Sequence, residues 1–145
     1  MRRFTGVLAA AIVLVAGACE IFDDGAPRQI FFEMEGDEGG LRARAIYSRN
    51  FVAGVDEMGI THVQVFSSDT VLHTLPIDTV INIADEQQWF VQVETLAGDT
   101  LAVNVQVDVD GRTLVSRFGG IFPDEPFRYV YVFNQRLTES VDVTF

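Results

Sequence analysis

Few residues in this chain have the type and spacing to carry chemistry. His62 and His73 are its two histidines and fall on neighbouring expected strands. A zinc site would need further ligands at matching spacing, and nothing marks them; both read as surface or packed histidines. Asp108-Val109-Asp110-Gly111 starts like a calcium loop, but the twelve-residue template would put Gln106 at its first position and Arg117 at its last. Two essential oxygens are then missing, so the segment reads as the turn and outer face of a hairpin. Acidic pairs at Asp23-Asp24, Asp37-Glu38, Asp85-Glu86 and Asp124-Glu125 fall in expected loops and read as solvating charge. They could share a weak calcium ion only by converging at one end of the domain. Gly-x-Ser-x-Gly, His-Glu-x-x-His and Walker patterns are absent. Lysine is missing altogether, which excludes Schiff-base and Ser–Lys chemistry. No Asp/Glu pair is set apart for glycoside cleavage. The chain is read as no enzyme, with no cofactor and no metal.

One row of side chains could bind without reacting. Phe127, Tyr129, Tyr131 and Phe133 alternate on one strand face, with Val130 and Val132 on the other. Four large rings suit a sandwich interior, yet the valines also ask for burial, and Trp89-Phe90 raises the same question. Either the strand is covered on both sides, or the aromatic row is a platform for a sugar, a peptide or a partner protein.

The elements that position this row belong to one domain. The chain has 145 residues, 48% of them hydrophobic and 21% charged, enough to bury a core without staples. Its ten basic residues are all arginine and face 21 acids, for a net charge of −11. Such acidity argues against nucleic acid, whose phosphates need a basic face.

Met1-Arg2-Arg3 opens the chain with positive charge, and residues 4–18 carry none. Small residues then gather at Ala16-Gly17-Ala18, just before Cys19, the single cysteine. Fifteen residues at about 1.5 Å each reach ~22 Å, short of a ~30 Å bilayer core, so a secretory signal is favoured over a permanent span. Val15-Ala16-Gly17-Ala18-Cys19 resembles the lipobox of bacterial lipoproteins, with Ala16 where that family prefers Leu. The resemblance implies that residues 1–18 are cleaved, that the Cys19 sulfur takes a diacylglycerol and that its new amino group is acylated. Several acyl chains at about 0.8 kcal/mol per buried CH₂ anchor a protein stably. Losing Arg2 and Arg3 would leave eight arginines against 21 acids, or 8 − 21 = −13. So acidic a body is repelled by anionic lipid; lipid on Cys19 would hold it at the membrane. Glu20, in place of the Asp that retains such proteins in the inner membrane, points to the outer membrane, facing the periplasm or the cell surface.

Residues 19–27 read as the lipidated cysteine and a short tether, and 28–145 as one strand-built unit. Ile30, Phe32 and Met34 alternate with Phe31, Glu33 and Glu35; Leu41, Ala43, Ala45 and Tyr47 alternate with Arg42, Arg44 and Ile46. Folding these about Glu38-Gly39 gives an expected hairpin that pairs Glu35 with Arg42, Glu33 with Arg44, Met34 with Ala43 and Phe32 with Ala45. A strand over 60–66 should end in a turn at Ser67-Ser68-Asp69, and the run 71–83 should hold one or two strands, with Pro76 marking an edge or a break between them. Trp89, Val91 and Val93 should join Val103 and Val105 through an odd-numbered loop around Gly98. The strand 101–109 should turn at Asp110-Gly111, pairing Val107 with Leu114 and Val103 with Phe118. Short strands with turns every 8–12 residues predict an all-β antiparallel sandwich, immunoglobulin-like in architecture only, with a small barrel as the alternative. The functional expectation is a lipid-anchored envelope protein with a non-catalytic structural or protein-binding domain. Its competitor is a carbohydrate- or small-ligand-binding lipoprotein using the Tyr129/Tyr131 face.

Overall fold

The computed structural model describes residues 25–96 and 98–145. Cys19, the lipobox and Asp23-Asp24 lie outside the described residues. Nine strands follow in order: β1 (Gln29–Gly36), β2 (Arg42–Val55), β3 (Thr61–Thr74), β4 (Ile77–Asn82), β5 (Gln88–Thr95), β6 (Leu101–Val109), β7 (Arg112–Ile121), β8 (Phe127–Val132) and β9 (Val141–Thr144). They build two facing sheets, β4-β1-β6-β7 and β8-β5-β2-β3-β9. The fold is the expected all-β sandwich; the five-stranded sheet curls into a half-barrel rather than closing. Its ladders are antiparallel except for β3–β9, which runs parallel.

Alternation along each strand decides what is buried. Ile30, Phe32 and Met34 of β1 and Leu101, Val103, Val105, Val107 and Val109 of β6 point into the sandwich. From the facing sheet they meet the small Ala43 and Ala45 beside the large Trp89, Val91 and Val93. Each large side chain contributes roughly 1.5–3 kcal/mol by burial, so this layer dominates the stability.

A second, smaller core sits on the other face of the five-stranded sheet. Phe90 and Val130 are buried there with Phe51, Val63 and Val65, under Leu137, Val141 and Val143 of the C-terminal segment. Paired bulges make this possible: the β2–β3 register shifts between Tyr47 and Asn50 and again before Phe51. Ala43, Ala45 and Tyr47 therefore pack into the main core, whereas Phe51 and Ala53, also odd-numbered, pack into the second. Polar side chains hold the bulge. Ser48 Oγ donates to the Ser67 carbonyl at 2.7 Å and accepts from the Asn50 amide at 3.0 Å.

Several expected pairings are corrected. Ile30–Glu35 and Arg42–Ala45 form no hairpin: β1 pairs with β4 and β6, β2 with β3 and β5. Residues 37–41 carry the chain between sheets, so the two apolar faces meet across the core instead of lying side by side. Exposed charge pairs worth under about 1 kcal/mol cannot outweigh that burial. Arg44 takes Glu94, its register partner on β5, with Nε–Oε2 at 2.8 Å. In the same way β5 and β6 share no ladder, and the chain between them changes sheet. Ser67-Ser68-Asp69 is no turn; β3 runs through it, and Ser67 serves the bulge. The break at Pro76 stands between β3 and β4.

The Asp110-Gly111 turn is present, with φ of 47° and 80°, and joins Val109 to Arg112. A bulge at Leu114 then moves the partners by one, to Val107–Val115 and Val103–Gly119. Nothing lies within 4 Å of where a Gly111 Cβ would stand, so substitution there tests the backbone alone. Gly111→Val is expected to cost about 1–2 kcal/mol from the left-handed conformation, and Gly111→Asn much less; urea unfolding of both variants measures the difference.

Candidate functional site

The aromatic row sits at a sheet margin. β8 pairs only with β5, so its other edge is free among the described residues; β7, at the margin of the facing sheet, pairs only with β6. Phe127 is buried and stacks on Phe32 with ring centroids 6.3 Å apart. Tyr129 packs a tilted ring on Trp89 at 6.2 Å, and both it and Tyr131 are half-buried against the main core. Val130 and Val132 turn to the second core. The strand is thus covered on both faces while its edge, and the rims of two tyrosines, remain open.

That edge is the floor of a trough of about 510 Å³. One wall is β7, from Arg112 to Arg117; the other is the segment after β8, running to Val141. Phe133 lines it too, half-buried. A further recess of about 450 Å³ continues past Arg117 and Glu139, whose side chains pair at 3.2 Å across the gap. The Arg117 guanidinium lies 5.4 Å from the Phe127 ring centre, in cation–π contact. Burial pushes the Tyr129 hydroxyl up to about 12 and that of Tyr131 upward as well, so both stay protonated donors at neutral pH.

Four arginines surround this trough: Arg112, Arg117, Arg128 and Arg136. Arg128 is braced by Gln92 Oε1 at 2.8 Å and the Val141 carbonyl at 3.1 Å. Arg112 and Arg136 are exposed and make no ion pair among the described residues. Single spacings do not group these four. A regional count does: residues 112–136 hold four arginines and two carboxylates, in a chain with ten and 21.

The other candidates separate. His62 and His73 share β3 rather than occupying neighbouring strands. His73 Nε2 lies 3.0 Å from the Tyr47 hydroxyl, and burial lowers the imidazole while raising the phenol to about 12, leaving a neutral pair. His62 stands between Asp56, at 2.9 Å, and Asp142 of β9, at 3.4 Å. Among the described residues no three His, Cys, Asp or Glu side chains converge to hold a metal. Asp37-Glu38 and Asp124-Glu125 lie in loops at one end of the sandwich, Asp85-Glu86 at the other. A separate recess, about 370 Å³, borders Tyr47, Arg49, Asp69 and Trp89; the Trp89 indole N–H is buried without a partner among the described residues. No protein-family model, curated protein or solved structure matches the chain.

The His62 cluster joins the β2–β3 loop to β9 and makes their attachment pH-dependent. The hydrogen bond to Asp56 raises the imidazole above its ordinary value; Asp56 is held low, first by the Ile60 amide and then by His62. The contribution of His62 is therefore complete below about pH 6.5 and lost as pH rises through its raised value. Asp56 contributes above its ordinary range and stops contributing as pH falls through its lowered value. His62→Gln should lower the urea midpoint relative to wild type at pH 5.5, with the gap closing by pH 8.5.

Proposed function

We propose that this chain is a lipid-anchored protein of the bacterial envelope whose β-sandwich binds a partner without catalysing a reaction. The membrane attachment rests on Val15-Ala16-Gly17-Ala18-Cys19 and the charged start before it. The binding role rests on one observation: the open edge of β8, with Tyr129 and Tyr131 at its rim, floors a trough between the two sheets. Tyrosine rims suit binding, because they contribute large contact area with two rotatable bonds and a polar tip. Among the described residues that line the trough Glu139 is the single carboxylate, and it is paired with Arg117.

Cys19→Ser should move the protein from the membrane fraction to the soluble one, and unchanged fractionation would count against lipidation. For the trough, a benzoylphenylalanine photoprobe replaces Tyr131, and in a control chain the exposed Val80 on β4. Ultraviolet irradiation of intact cells should give a discrete adduct from position 131 alone. The same adducts from both positions, or none from 131, would remove the binding face.

A further inference from the structure

Resting on that reading, we propose that the trough takes an extended, acidic peptide segment of a partner protein, added as a strand along the free edge of β8.

Charge selects the class of ligand. The chain carries a net charge of −11, yet its trough gathers four guanidiniums around one carboxylate, a local excess of 4 − 1 = +3. Arg112 and Arg136 stand exposed on opposite walls. An incoming acidic strand would meet attraction here and repulsion over the rest of the surface, which directs it to this edge. Planar guanidiniums also suit carboxylates, which they bind through paired hydrogen bonds.

Backbone geometry selects the shape. β8 has six residues, about 20 Å of edge, and its N–H and C=O groups on that side lack a neighbouring strand among the described residues. An extended peptide supplies the complementary ladder, while alternate side chains fall into flanking pockets. Side chains directed to the β7 wall would reach Arg112 and Arg117; those directed to the other wall would reach Arg136. Beyond the Arg117–Glu139 bridge the second recess continues the same path. A sugar chain could use the tyrosines and arginines but not the ladder. That difference separates the ligands.

The test uses the full-length chain in detergent micelles and a fluorescein-labelled octapeptide of alternating Val and Glu. Controls are the Val–Thr octapeptide and an oligogalacturonate. The acidic peptide should bind at least tenfold more tightly than the Val–Thr peptide, weaken as salt rises and slow amide hydrogen exchange across 127–132. R112E/R136E should reduce its affinity at least tenfold with an unchanged melting temperature; R112Q/R136Q is measured if the charge reversal unfolds. Preferential binding of oligogalacturonate, or peptide binding without protection of β8, would overturn the proposal. So would no binding at all, the result expected if the arginines only blunt an exposed edge. A retained photo-adduct from position 131 would then leave the binding face standing, whereas its loss would remove both.

Discussion

The sandwich is organised by one strand that must be hidden on both sides. Trp89, Val91 and Val93 of β5 face the main core, while Phe90 and Gln92 on the opposite face are buried too. A two-layer sandwich covers only one side of each sheet. The chain meets the extra demand by curling β2 and β3 at their bulges and returning its C-terminal segment beneath β5 and β8. Gln92 is accommodated because it donates to Glu94 and accepts from Arg128, so its buried amide is satisfied. The same return that covers Val130 also raises one wall of the trough, so the second core and the trough share a cause.

Most of the strand content, and which side of most strands faces inward, was legible in the sequence; β7 was not, because its bulge leaves Leu114 and Phe118 exposed. The run from Leu101 to Val109, the Asp110-Gly111 turn and the break at Pro76 are all local signals, and each matches the structure. Partnership was not legible. Ile30, Phe32 and Met34 alternate identically whether Ala43 and Ala45 lie beside them or across from them, because a period of two encodes a face and not a layer. The expected Glu33–Arg44 pairing failed for that reason, and Arg44 found Glu94 fifty positions away. Ser67 misled differently: a serine that suits a turn also suits the polar grip of a bulge.

The candidate site was half legible. Tyr129 and Tyr131 announced themselves by alternation, and each ring is half-buried, packed against the main core and lining the trough. The arginines became a group only when β7, β8 and the segment after β8 met in space. An acidic surface gives that cluster its contrast. The chain carries 21 acids against ten arginines, and four of the ten line this one trough.

The Asp110 carboxylate accepts the backbone amides of Arg28 and Gln29, at 3.0 to 3.2 Å, from more than eighty positions away. These bonds clamp the chain where β1 begins, and β1 lies inside its sheet, flanked by β4 and β6. Tension applied through the N-terminal lead would therefore load two ladders along their length at once, rather than unzip a marginal strand bond by bond. A domain built this way would resist a pull on its N-terminal end.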